Sequence, residues 1–147
     1  MKLTLFISSE NPTGENQQVK FAEHIEQVRV ARDVGYDGVA IGNHMSYGSA
    51  IWDPPLETLT RLAAETGDMS LATCMLILPL FHPLHVAQQA SLLDIVSGGR
   101  FTFGVAPGWQ EDEFKILGLD HSRRIGRYVE SLTLIKRLWT EERVDFS

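Results

Sequence analysis

Cysteine is almost absent from this chain of 147 residues. Cys74 stands alone, so no disulfide can close within the chain, and a reducing, cytoplasmic setting is expected. Positive charge is also scarce: 13 Lys and Arg against 19 Asp and Glu give a formal net charge of -6. That balance argues against a nucleic-acid or anionic-membrane partner, since both attract basic surfaces. Long apolar runs are missing. The longest, Met75 to Phe81, is interrupted by Pro79, well short of the roughly 20 residues that span a bilayer. Met1 to Ile7 is too short a run for a signal peptide. Neither GxGxxG nor GxxxxGK[ST] follows a strand, so dinucleotide and P-loop sites are unsupported. His82 and His85 sit three apart at a helix start with no Cys, Asp or Glu beside them, and no metal site is expected there.

What the chain does have is a rhythm. Leu3, Leu5 and Ile7 alternate with Thr4 and Phe6, which predicts a largely buried first strand. After a polar loop, Gln18 to Val34 places Phe21, Ile25, Val28 and Ala31 on one helical face, and Gly35 ends it. Tyr36 to Ile41 reads as a second strand, followed by Gly42-Asn43-His44. A longer loop, Met45 to Pro55, carries Tyr47, Trp52 and Asp53. Pro54-Pro55 opens a helix with Leu56, Leu59, Leu62 and Ala63 inward. Ser70 to Leu78 is nearly all apolar, as a strand covered on both faces would be. Pro83 to Val96 is a third helix with Val86, Ala90, Leu93 and Val96 as its seam. Arg100 to Ala106 is a fourth strand, Gln110 to Leu117 a short acidic helix, and Ser122 to Thr140 a long helix with Ile125, Val129, Leu132, Ile135 and Trp139 inward.

Four successive strand–helix units imply an α/β fold with a parallel sheet. A doubly wound open sheet and an eight-fold strand–helix barrel both fit the order. A complete barrel takes about 250 residues, and Arg143 to Ser147 reads as the start of another extended segment. The chain is therefore expected to be the N-terminal half, about four βα units, of an eight-fold TIM-type barrel. A natural half barrel completed by association is the alternative. Either way, the open sheet edges predict a homo-oligomer.

In such folds ligands bind at the C-terminal ends of the strands. His44 lies there, either as a donor or proton-handling group or as a loop histidine bonded to the backbone. Thr73 is a polar residue in an apolar strand; its hydroxyl needs a partner, which a neighbouring carbonyl or a ligand supplies. Cys74 has nothing basic beside it in sequence and reads as a buried, inert thiol. In the fourth strand Phe101, Phe103 and Val105 share one side, while Thr102, Gly104 and Ala106 leave the other side small. Gly104 and Gly108 permit close backbone approach. Trp109 either stacks on a planar ligand or packs the top of the fold. Glu111-Asp112-Glu113 reads as a solvated helix N-terminus. Gly98-Gly99-Arg100 lies at the opposite ends of the strands and reads as a structural turn.

Taken in order, several segments resemble the bacterial luciferase-like superfamily of flavin- and deazaflavin-dependent oxidoreductases. They are Gly35-Tyr36-Asp37-Gly38-Val39 leading to Asn43-His44, Leu71-Ala72-Thr73 through Leu78-Pro79, and His82-Pro83. The most specific is Leu93 to Phe101 through Pro107-Gly108-Trp109, joined by Glu113-Phe114 and Leu138 to Glu141. The resemblance implies an eight-fold barrel with the flavin ring at its C-terminal mouth. It implies a bulge in the third strand with a non-proline cis peptide, here Cys74-Met75, beneath that ring. His44 takes the place of the family's histidine after the second strand, as the catalytic residue. Thr73, Cys74, Met75, Gly108 and Trp109 fall at cofactor-binding positions. The implied activity is that of a monooxygenase using reduced FMN, molecular oxygen and a small organic substrate, with a flavin reductase as possible partner. Hydride transfer with a deazaflavin coenzyme is the first alternative; Asn43-His44, where many deazaflavin users carry Asp-His, favours FMN. A non-catalytic flavin-binding or structural half barrel is the second. The family's phosphate-binding loops and much of its substrate pocket belong to later strands, so this chain holds only part of such a site.

Overall fold

A computed structural model describes residues 1–45 and 50–145; Tyr47 and the last two residues, part of the expected final extended segment, lie outside them. In chain order the elements are β1 (Thr4–Ile7), β2 (Glu10–Pro12), α1 (Gln17–Asp33), β3 (Gly38–Ile41), β4 (Ala50–Trp52) and α2 (Pro55–Leu62). Next come β5 (Ser70–Thr73), β6 (Leu76–Ile77), a 3-10 turn (Leu78–Leu80), α3 (Pro83–Ser97), β7 (Phe101–Thr102) and β8 (Val105–Ala106). The short helix α4 (Glu111–Ile116) and, after a second 3-10 turn, α5 (Arg124–Thr140) complete the described chain.

Four strands form one parallel sheet in the order β1-β3-β5-β7. Helix ends are set by local chemistry. The Asn16 side chain accepts from the backbone N–H groups of Gln18 and Val19 at the start of α1, and Gly98, at φ 68°, ends α3 in the left-handed conformation. One face of the sheet, carrying Ile7, Val39, Ile41 and Leu71, joins Val28, Leu59, Leu62, Val86, Leu93 and Ile135 of the helices in a single buried cluster. Burying these side chains is the main stabilising term, each contributing about 1.5–3 kcal/mol. On the other face the register aligns Phe6, Ala40, Ala72 and Thr102. The inner two are small, and both outer residues are exposed.

Several sequence expectations change. β1 is not largely buried, because it is an edge strand whose Phe6 points to the uncovered face and is 55% exposed. Ile125 and Val129 of α5 are exposed as well; Ser131, Leu134 and Ile135 carry its buried face. Val96 likewise leaves the buried seam of α3. The loops after the first two strands pair with each other, β2 antiparallel to β4, as a small ribbon. Asn11 Nδ2 donates to Asp53 Oδ2 at 2.9 Å, and His24 Nε2 of α1 lies 3.5 Å from the same oxygen.

The third and fourth strands are not continuous. β5 pairs with β7 through Leu71↔Phe101 and Ala72↔Thr102, whereas β6 pairs with β8 through Leu76↔Val105 and Ile77↔Ala106. Between these ladders the register steps by one residue, so the β5–β6 strand carries one extra, which defines a bulge. The Cys74-Met75 peptide bond within it is cis.

Candidate functional site

A cavity of about 620 Å³ opens at the C-terminal ends of the strands. Its wall is drawn from Phe6 and Ser8 of the first unit, Gly42 to His44 of the second, Cys74 and Met75 of the bulge, and Ala106 to Trp109 of the fourth. The sequence-predicted residues His44, Cys74, Met75, Gly108 and Trp109 therefore meet around one space. Cys74 is exposed rather than buried. The bulge turns it out of the sheet plane together with Met75, which is 46% exposed.

Thr73 is placed differently. It is 2% exposed and absent from the cavity wall. Its hydroxyl donates to the Gly104 carbonyl at 2.7 Å and accepts from the Gly104 N–H at 2.9 Å. The partner that a buried hydroxyl demands is thus a neighbouring strand, and Thr73 acts by clamping the bulge. Cys74 N–H donates to the Ile41 carbonyl at 2.7 Å, and Leu76 N–H to the Gly104 carbonyl at 2.9 Å. Asn43 closes the same region from the second unit: its Oδ1 accepts from the Ile77 N–H at 3.0 Å. Two glycines make room. A Cβ on Gly104 would collide with the Thr73 carbonyl oxygen, and one on Gly108, at φ +76°, would lie 2.5 Å from Ile77 Cγ2.

Described residues hold His44 from three sides. Its ring lies edge-on to Trp52, with centroids 4.9 Å apart, and to Trp109 at 6.4 Å. Its Nδ1 stands 3.2 Å from both carboxylate oxygens of Glu113. Glu113 Oε1 also accepts from the Met45 N–H at 2.6 Å. Glu113 is fully buried, which corrects the reading of the acidic triplet as a solvated helix end at its third member; Glu111 and Asp112 are exposed as expected. Phe114, also fully buried, packs with Ile77 and Leu80 and draws that turn of α4 inward. Trp52 and Glu113 were not singled out from sequence as site residues. An isolated acid inside an acidic run and a tryptophan in a loop look like surface; only the Glu113-Phe114 pairing of charge with a large apolar side chain hinted otherwise.

A second cavity of about 690 Å³ lies at the opposite ends of the strands, against Tyr36, Asp37, Ser70 and Arg100. Arg100 there donates to the Thr66 hydroxyl at 3.0 Å and to the Met69 carbonyl. This supports the structural reading of Gly98-Gly99-Arg100.

Comparison with known proteins agrees with the fold. The luciferase-like monooxygenase family matches residues 1–147, and the chain belongs to that family. It is 33% identical over 135 residues to the 4-hydroxyprotoasukamycin monooxygenase of Streptomyces nodosus subsp. asukaensis, an alignment covering 92% of this chain and 36% of that protein. It is 29% identical over 142 residues to the oxygenase component of the flavin-dependent trigonelline monooxygenase of Acinetobacter baylyi, covering 95% and 39%. The whole chain superposes, with a TM-score of 0.90 and 21% identity, on 41% of the oxygenating constituent of 3,6-diketocamphane monooxygenase from Pseudomonas putida, a structure solved with FMN. The fold is thus that of the luciferase-like TIM-barrel monooxygenases, and the chain spans well under half the length of these relatives.

Proposed function

We propose that this protein takes part in an FMN-dependent monooxygenase reaction on a small organic substrate. The observation that carries the reading is the single mouth formed by His44, the Cys74-Met75 bulge and the Gly108-Trp109 loop. The residues present fit a flavin. Gly104 and Gly108 let backbone approach where side chains would collide, the row Ala40–Ala72 leaves the sheet face low, and Trp109 supplies an aromatic wall. Thr73, through the bulge it clamps, would support the ring together with Cys74 and Met75, while Gly108 and Trp109 would bound it laterally. When bound, reduced FMN supplies the electrons that activate oxygen. The protein orients the reactants, limits water at the mouth and, at His44, takes up or delivers a proton. A sequence relative described as a flavin-dependent monooxygenase supports the chemistry; the choice of FMN over deazaflavin rests on Asn43-His44. A flavin reductase partner, a homo-oligomeric state and a barrel completed by further strands belong to the same proposal.

Titrating the protein with reduced FMN and with a reduced deazaflavin, while following oxygen uptake, tests it. FMN binding with oxygen uptake is the expected result. Deazaflavin binding without oxygen uptake would select hydride transfer, and binding of neither would select the structural half barrel. In the FMN-loaded protein, His44→Ala should lower turnover by about a hundredfold or more, the range of a general acid–base group.

A further inference from the structure

We propose that Glu113 is a positioning residue that sets the tautomer of His44, keeping the ring proton on Nδ1 and the lone pair on Nε2. The inference rests on the reading of His44 as the proton-handling group. It is carried by geometry within the described residues. Glu113 is fully buried, and both its carboxylate oxygens lie 3.2 Å from His44 Nδ1. A buried carboxylate is tolerated only when donors face it. The Met45 N–H, at 2.6 Å from Oε1, is one such donor. A carboxylate oxygen accepts, so Nδ1 must donate to it as well, and in the neutral ring Nε2 is then the basic nitrogen.

The anchoring elements are well separated in sequence. His44 and Met45 follow β3, and Glu113 sits in α4, whose Phe114 is locked beneath Leu80 and Ile77. The pair therefore ties the second unit to the fourth across the mouth. Rotation of the imidazole about its bond to Cβ would break two contacts at once, so Glu113 fixes orientation as well as tautomer. This is how an acceptor on one ring nitrogen defines what the other can do.

Nitrogen-15 NMR of the imidazole rings tests the assignment without any cofactor, so its outcome is independent of the flavin reading. The protein has five histidines, and His44→Asn identifies the His44 signals by their loss. In the wild type the neutral His44 ring should show the Nδ1–H tautomer. Glu113→Leu keeps comparable bulk but removes both acceptor oxygens, so nothing at that position holds the proton on Nδ1 and it should shift to Nε2. Glu113→Asp, which restores the carboxylate, should return the Nδ1–H pattern. A wild-type ring in the Nε2–H form would overturn the proposal even if neither variant folds. A tautomer unchanged by Glu113→Leu, in a variant whose circular dichroism matches the wild type, would overturn it too.

Discussion

At Gly104 and Gly126 the same substitution meets opposite surroundings. A Cβ at Gly104 runs into the carbonyl oxygen of Thr73, a backbone atom that cannot swing aside. A Cβ at Gly126, within α5, meets nothing within 4 Å. Gly104→Ala should therefore destabilise the fold by about 1–3 kcal/mol or more through overpacking. Gly126→Ala should stabilise it by about 0.4–1 kcal/mol, because alanine loses less backbone entropy in a helix. Urea denaturation of the two variants beside the wild type measures both; equal midpoints would contradict the account of the bulge. Sequence alone reached Gly104 as a place of close approach, since a glycine flanked by Phe103 and Val105 in a strand has few other uses. It did not identify what approaches. That is a carbonyl from another strand, fixed by a register step that no local pattern encodes. The exposure of Cys74 was missed for the same reason, because an apolar flank says buried and the bulge turns it outward.

Among the elements, helices were the most legible. Their apolar spacing, Pro55 and Pro83 at helix starts, and Gly98 past the end of α3 mark most of their bounds within a residue or two; α2, expected to run to Gly67, ends at Leu62. The β2–β4 ribbon was hidden, because three-residue strands in polar loops lack periodicity and depend on each other for pairing. Its consequence falls at the candidate site: the ribbon brings Trp52 against the His44 ring. Where α1 meets the end of α2, the tie is ionic. Glu65 accepts from Arg61 Nη1 at 2.8 Å and from Arg29 Nε at 2.9 Å, while Arg32 Nη1 donates to the Glu65 carbonyl at 3.0 Å. The bonds from Arg61, then Arg29, hold the Glu65 carboxyl below the ordinary carboxylate value. A lowered folded-state value favours the ionised, folded form. The stabilisation is complete above the ordinary carboxylate pKa of the unfolded chain and is lost as pH falls through the lower folded value. Wild type should thus be more stable than Glu65→Gln near neutrality, and the gap should close in acid and shrink with added salt. Thermal melts of the pair across that range check this; a gap independent of pH would remove the ion pairs from the explanation.

For the whole molecule, the repeat of strand and helix was enough to give the parallel sheet, and the resemblance of its ordered motifs was enough to give the family. The sequence could not show how the sheet's open faces are covered. β1 and β7 are edge strands, each with one side unpaired among the described residues. Apolar side chains stand exposed beside them and on the helices: Phe6 at 55%, Val34 at 68%, Val129 at 56% and Ile95 at 74%. Unpaired parallel edges beside apolar surface are association sites. The net charge of -6 opposes contact between copies, but salt screens that repulsion and leaves apolar burial intact. The chain should therefore self-associate in a concentration-dependent way, and more strongly as salt is raised from low to moderate levels. Sedimentation velocity over a hundredfold range of protein concentration, at two ionic strengths, measures this. A rise in mean sedimentation coefficient with both variables is the expected outcome. A single monomeric species throughout would show that the edges and apolar faces are protected within the chain itself.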